Sequence, residues 1–366
     1  MALTLHGTVS DNTVALDRKT ATPIIINGDM EISQRGTSTS SIVNGNFRTL
    51  DRFYTNNNNV GSLTNSQSTD VPTGQGFASS FKIAVDTADT PSGTEWIQCQ
   101  YRTEAQDLKP LKFNTSSAEG FTISFWVKSA KTGTYTLSIL NDGATRSIAQ
   151  TYTISSANTW EKKVLSFAGD TAGAIANSNG IGLILYWVLA SGGDRSSGSL
   201  QTSWGSYADA TFISSSQVNL ADSTSNDWYI TGVQLEVGTY DANSIPAFHF
   251  EDVSTNLRRC QRYYFRQGDE GGYAALGSGV CENTSQAYIM INLPTTMRAS
   301  PSASFTGNVT LFDGDTFNTS SSINSTQKGT NCVRLTVTAN SSVANGHGAT
   351  LHVENSSSYA EFASEL

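Results

Sequence analysis

Asp227-Trp228-Tyr229-Ile230-Thr231-Gly232-Val233-Gln234-Leu235-Glu236-Val237-Gly238 has the length and β-rich composition of a strand and ends at a glycine stop. The chain changes character around it. Before it run short strands separated by polar loops; after it come a short helical pattern and a second β-rich region. The stretch therefore reads as the strand that closes a large jelly-roll domain. Simple alternation places Tyr229, Val233 and Leu235 on its core face and leaves Trp228 and Ile230 for a second contact. The implied fold class is all-β: a jelly-roll β-sandwich, a short helical connector and a smaller C-terminal β-sandwich. The expected division is an extended arm over 1–22, a jelly-roll over 23–240, a linker and short helix over 241–265, and the second β-domain over 266–366.

With 366 residues the chain is long enough for two domains with cores of their own. Hydrophobic residues make up 37%, including 16 Phe, 13 Tyr and 6 Trp, which excludes a disordered chain. Only 14% of residues are charged and the net charge is −9, so nothing supplies the basic stripe that nucleic acid needs. Residues 1–20 lack an apolar run behind a basic start, so no signal peptide is expected. No apolar window is long enough for membrane insertion. An uncharged polar surface is common on extracellular and virion proteins. Such a protein without a signal fits assembly in a host cytoplasm and exposure on a virus particle. The cysteines Cys99, Cys260, Cys281 and Cys332 and the scattered histidines share no metal-ligand spacing. Buried free thiols are the simplest reading, and a Cys281–Cys332 bridge stays open at this level.

Taken in order, Leu3, Leu5 and Val9 stand among polar residues in a segment that reads either as an arm docking on another protein or as a loosely held terminus. Pro23-Ile24-Ile25-Ile26 reads as the first strand, and Asn56-Asn57-Asn58-Asn59 as a loop tip. Phe81, Ile83 and Val85 alternate on one face of the next strand. In the run 121–128, Phe121, Ile123, Phe125 and Val127 face the core while Thr122, Ser124, Trp126 and Lys128 face away. Lys131-Thr132-Gly133 should turn this strand into a hairpin with 135–140. Residues 181–189 are apolar on both faces, as a strand between two layers must be. One layer is the core; the other, touched by Ile184, Tyr186 and Val188, is expected to be a neighbouring subunit. Val253, Leu257, Cys260 and Tyr264 lie on one helical face. Short strands at 287–293, 302–305, 309–312, 332–338, 351–354 and 359–362 indicate the smaller sandwich, with 318–330 as loop.

Several separated blocks carry a resemblance. They are Phe125-Trp126-Val127-Lys128-Ser129 with Lys131-Thr132-Gly133-Thr134-Tyr135, then Asn158-Thr159-Trp160-Glu161-Lys162-Lys163, the closing strand, and Cys260-Gln261-Arg262-Tyr263-Tyr264. With Ile25-Ile26-Asn27-Gly28-Asp29-Met30 and Gln34-Arg35-Gly36, they resemble a family of bacteriophage virion proteins, often tail-fibre proteins, from marine and cyanobacterial phages. The resemblance spans roughly residues 24–265. It implies a homotrimeric surface appendage whose N-terminal arm docks on other virion proteins. The opening and closing strands also resemble those of jelly-roll carbohydrate-binding modules, which often hold a structural calcium between an opening Glu and an Asp pair on the last strand. Here Glu31 is present, but Thr231-Gly232 stands where that pair would be. The lost carboxylates remove the charge a hard cation needs, so no cofactor is expected and calcium is not favoured.

No nucleophile elbow, P-loop or dinucleotide fingerprint is present. Nothing in the sequence brings a carboxylate pair to the separation glycoside cleavage requires. Asp313-Gly314-Asp315 reads as a turn. No catalytic residue is assigned, and the chain is expected not to be an enzyme. Trp204 and Tyr207, in the Gly/Ser-rich loop 191–206 and just after it, and Trp126, on the polar face of its strand, are the candidate glycan contacts. An aromatic face offers apolar contact to the C–H side of a sugar, although each ring could equally pack under a loop. The leading reading is a tail fibre or surface appendage that binds host cell-surface polysaccharide. The alternative is a head fibre, capsid decoration or tail connector with a purely structural role. A depolymerase is the weakest reading.

Overall fold

The computed structural model describes residues 20, 22–268 and 273–366; the arm positions Leu3, Leu5 and Val9 lie outside them. The chain forms two compact units, Met1–Glu251 and Asp252–Leu366. The first contains β1 (Ser38–Ile42), β2 (Asn46–Phe47), β3 (Phe53–Asn58), β4 (Ser62–Ser68), β5 (Ser80–Thr87), β6 (Trp96–Glu104) and β7 (Phe121–Ser129). It continues with β8 (Gly133–Asn141), β9 (Arg146–Ile154), β10 (Glu161–Phe167), β11 (Ile181–Ser191), β12 (Gly205–Ser206) and β13 (Asp227–Val237). They build a six-stranded sheet in the order β1-β4-β5-β13-β7-β10 and a seven-stranded sheet in the order β12-β9-β8-β11-β6-β3-β2.

From β5 to β8 each successive strand changes sheet, and all the ladders are antiparallel. That is a jelly-roll. It also overturns the expected hairpin between β7 and β8. Both edges of β7 are taken, by β10 and β13, and β8 pairs instead with β9 and β11. A strand has only two edges, so Lys131-Thr132-Gly133 is a crossing between layers. Gly133, at φ 124°, makes the change of direction.

The core fills the space between the sheets. Phe121, Ile123, Phe125 and Val127 point into it, and Phe125 meets Trp187 edge-to-face at 5.8 Å. The closing strand β13 departs from simple alternation. Trp228 and Ile230 are in the core, and so are Val233, Leu235 and Val237. Tyr229 is outside it, reversing the sequence expectation for these three residues. The cause is a β-bulge. Thr231 pairs with Trp126, and the next ladder pair is Gln234 with Ser124, so β13 spends one residue more than β7. One extra residue swaps every later side chain to the opposite face. Gly232 provides it at φ 63°.

Other expectations shift for similar reasons. Pro23 to Ile26 form no strand. Ile24, Ile25 and Ile26 are buried, but Asn27 at φ 59° and Met30 at φ 62° bend the backbone into a turn. Its polar groups are met by side chains: Tyr101 accepts from Ile26 N–H at 2.7 Å, and Asn27 bonds to both backbone groups of Ile32. Asn56, Asn57 and Asn58 lie in β3, where the Asn57 amide donates to the carbonyls of Ile42 and Val60.

The apolar outer face of β11 is covered within the chain. Ile184, Tyr186 and Val188 pack with Phe212 and Ile213 of the following loop, so a neighbouring subunit is not what buries them.

In the second unit, α1 (Val253–Gln261) starts at Asp252, whose carboxylate accepts from Thr255 N–H at 3.0 Å. Its buried face carries Asn256 and Cys260, and Tyr264 belongs to the next strand. The strands are β14 (Tyr264–Gln267), β15 (Ala275–Cys281), β16 (Gln286–Asn292), β17 (Ser302–Thr306) and β18 (Val309–Phe312), then β19 (Phe317–Lys328), β20 (Cys332–Ala339), β21 (Gly348–Val353) and β22 (Tyr359–Ala363). β14, β22 and β17 form a three-stranded sheet, while β15-β16-β20-β19-β18-β21 close on themselves as a barrel. The Ser/Thr/Asn run expected as loop is β19. Its polar side chains are no obstacle, because the ladders to β18 and β20 use backbone groups. The cysteines are free thiols.

Gly232→Ala tests the bulge. The new Cβ would sit 2.6 Å from the Phe77 ring and 3.1 Å from Trp126 at a φ that L residues avoid. A loss of about 2 kcal/mol in urea unfolding is expected, with the slope unchanged.

Candidate functional site

The bulge decides what the outer face of the six-stranded sheet displays. On its N-terminal side Tyr229 points outward. Tyr229 pairs with Lys82 of β5 on one edge and Lys128 of β7 on the other. Continuing the β7–β10 register one step past Glu161–Val127 places Trp160 opposite Lys128. The result is a row across four strands, Lys82–Tyr229–Lys128–Trp160. Two residues along, Thr231, Trp126 and Lys162 form a second row. Cations and aromatic rings alternate across and along the sheet.

The contacts in the first row are direct. The Lys82 ammonium lies 5.0 Å and that of Lys128 4.3 Å from the Tyr229 ring centroid, and Lys128 is 5.7 Å from the Trp160 ring. Two carboxylates tie the row down. Asp227 pairs with Lys82 at 3.2 Å and accepts from the Tyr229 hydroxyl at 2.9 Å. Asp70 takes the Lys128 ammonium and the Trp160 indole N–H, the latter at 2.9 Å. Tyr229 and Lys128 are nearly covered, whereas the indoles of Trp160 and Trp126 are half-buried and keep a free part. Gly232 leaves room for Trp126 and for Phe77, which packs edge-on against Phe248 and tilted against Phe250 as an apolar wall. The arrangement can hold a flat, partly apolar ligand against fixed indoles while an ammonium and a carboxylate meet its hydroxyls.

The titration behaviour follows from these contacts. Burial pushes the Asp70 carboxyl up, but the hydrogen bonds from Lys128 and Trp160 and the charges of Lys128 and Lys82 outweigh it and hold it below the ordinary value. Burial lowers Lys82, yet its contacts with Tyr229 and Asp227 leave it raised. Burial, together with Asp227, raises Tyr229 against the pull of Lys82.

The structure separates the sequence-derived candidates. Trp126 belongs to this face. Trp204 packs edge-to-face on Phe113 at 5.6 Å and donates its indole N–H to the Ala168 carbonyl at 2.7 Å. Tyr207 meets Phe212 edge-on, 5.1 Å away, above the other sheet and bonds to Asp209. The three do not form one site. Trp160, Tyr229 and Lys82 escape a sequence reading because only the pairing of β5, β13, β7 and β10 assembles them. The shared Trp-x-Lys spacing of Trp126-Val127-Lys128 and Trp160-Glu161-Lys162 is the one signal that could have found the row. Where an Asp pair would stand on the closing strand, the Thr231 hydroxyl donates to the Ser79 carbonyl at 2.8 Å. No group of three metal-binding side chains occurs among the described residues.

No protein-family model matches the chain, and no curated protein does either. Among solved structures, the enzymatically active domain of bacteriophage CBA120 tailspike protein 4 aligns at 14% identity and a TM-score of 0.32. The alignment covers 59% of this chain and 21% of that one. A family 11 carbohydrate-binding module from Clostridium thermocellum aligns at 8% identity and a TM-score of 0.29, over 56% of this chain and 98% of that one. The CBM22-1 xylan-binding domain of Paenibacillus barcinonensis gives 11% identity and a TM-score of 0.28, over 60% and 97%. At these scores the likenesses carry no argument about what this chain binds.

The Lys82–Tyr229–Lys128–Trp160 row should respond to pH at both ends. The lowered Asp70 stabilises the folded state above its ordinary value of 3.8, and that contribution is lost as pH falls through the lower folded value. The raised Lys82 contributes below 10.5 and is lost as pH climbs through its higher folded value. The difference in tryptophan fluorescence between the protein and Trp160→Phe should therefore be flat between these limits and change outside them.

Proposed function

We propose that this chain is a non-enzymatic component of a phage surface appendage, of tail-fibre type, that holds host surface glycan on the outer face of its six-stranded sheet. The observation that carries the binding reading is the pair of half-buried indoles, Trp160 and Trp126, on adjacent rows, with the Lys128 ammonium 5.7 Å from the Trp160 ring. Asp70 fixes the Trp160 ring before any ligand arrives, which lowers the ordering cost of binding. A sugar ring has a C–H face for the indole and hydroxyls for Lys162 and Asp70. The appendage reading draws on the separated sequence blocks that resemble phage virion proteins. On that reading the chain is a homotrimer attached by residues 1–22 to other virion proteins. The purely structural alternative takes its assembly surfaces from the arm over 1–22 and from Ile184, Tyr186 and Val188, and the latter three are covered by this chain's own loop.

Binding to a panel of purified bacterial surface polysaccharides tests the reading. Trp160→Ala and Trp126→Ala should each weaken the best ligand by about tenfold, the worth of one stacking contact. Trp204→Ala should cost stability without changing affinity. Equal binding by the wild type and both indole variants would sink the proposal.

A further inference from the structure

The second unit carries an aromatic cluster that the first-unit site does not explain. On the barrel surface Phe312 of β18 and Phe317 of β19 are ladder partners with ring centroids 4.6 Å apart. The turn that joins them is held by the Asp313 carboxylate, which accepts from the N–H groups of Asp315 and Thr316, with Gly314 at φ 96°. Tyr273 meets Phe317 edge-on at 6.1 Å, and the His352 ring lies 5.9 Å from Phe317. Tyr273 is 62% and Phe317 58% exposed.

Tyr273 is also strained. Its φ is 65°, a left-handed conformation that costs a bulky residue on the order of 1–3 kcal/mol. Its carbonyl, which can only accept, lies 3.2 Å from His352 Nδ1, so that nitrogen carries the proton. His352 Nε2 is 2.7 Å from the Thr350 hydroxyl. The imidazole is thus fixed at both nitrogens and holds the Tyr273 carbonyl.

We propose that the barrel face around Phe317 and Tyr273 is a second saccharide-binding site, for one or two rings of a neutral sugar. Size argues against a protein partner: two rings at these exposures present about 250 Å² in total, against about 800 Å² per partner in a stable protein interface. Charge argues for a neutral ligand. Asp315, two residues from Phe317, has a side chain 76% exposed, and the His347 imidazole lies 3.9 Å from it. An anionic sugar would be repelled there, whereas hydroxyls can donate to that carboxylate. The Tyr273 and Phe317 faces take the sugar C–H groups. The site is built from second-unit residues alone and does not depend on the indole rows of the first unit.

Saturation-transfer difference NMR on the full chain tests this, with maltotriose, cellotriose and triacetylchitotriose as probes. Using the double variant Trp160→Ala/Trp126→Ala as the parent removes both first-unit indole contacts, so failure of either site is seen separately. At least one probe should show saturation of its ring C–H protons in that parent, falling by about tenfold in both Phe317→Ala and Tyr273→Ala. Unchanged circular dichroism would show that both surface variants are folded. No transfer to any of the three sugars would overturn the proposal. So would dissociation of an oligomer by Phe317→Ala in sedimentation velocity, which would give the patch to a second copy of the chain.

Discussion

One extra residue in β13 governs the first unit. A β-strand shows alternate side chains to alternate faces, so a single inserted residue cannot be absorbed locally. Up to Thr231 the even positions Trp228 and Ile230 fill the core; after Gly232 the odd positions Val233, Leu235 and Val237 do. Without the bulge, one half of the strand would turn its apolar residues outward. Gly232 is needed because the position has φ 63° and because Phe77 and Trp126 crowd the place a Cβ would take. The same insertion puts Tyr229 outside, between Lys82 and Lys128, and so creates the row on which the proposed glycan site rests.

The two sheets treat their outer faces differently. The seven-stranded sheet folds its own loop back over β11, where Phe212 and Ile213 cover Ile184, Tyr186 and Val188. Burying that apolar stripe inside the chain removes a surface that would otherwise drive association. The six-stranded sheet instead carries charged and aromatic side chains held by Asp70 and Asp227. Aromatic bodies with polar tips can stay partly wet without such a penalty, which leaves this face available to a ligand.

The second unit reaches its stability by closure. β20 buries Val333, Leu335, Val337 and Ala339 on alternate positions, and its neighbours complete a barrel with no free edge in the ring. Closure also explains why the polar run 317–328 is a strand: a barrel demands backbone partners on both sides of β20, and serine, threonine and asparagine supply them as well as apolar residues do.

Much of the architecture could be read from the sequence because it depends on local pattern. Alternation in 121–128 and 332–338, glycine stops and turn residues such as Asp313-Gly314 follow from the backbone and its immediate side chains, and they gave the all-β class. Of the candidate site, Trp126 and Lys128 were legible, as neighbours on the polar face of one strand. Their companions were not, because Lys82, Trp160 and Tyr229 join them only through pairings between strands far apart in the chain. The hairpin expected between β7 and β8 failed on the same ground: sequence nearness favours a hairpin, but edge occupancy by β10 and β13 overrules it. Local periodicity determines which residues seek a core. Only tertiary structure decides which edges pair, where an extra residue inverts the faces, and which side chains are left outside to bind.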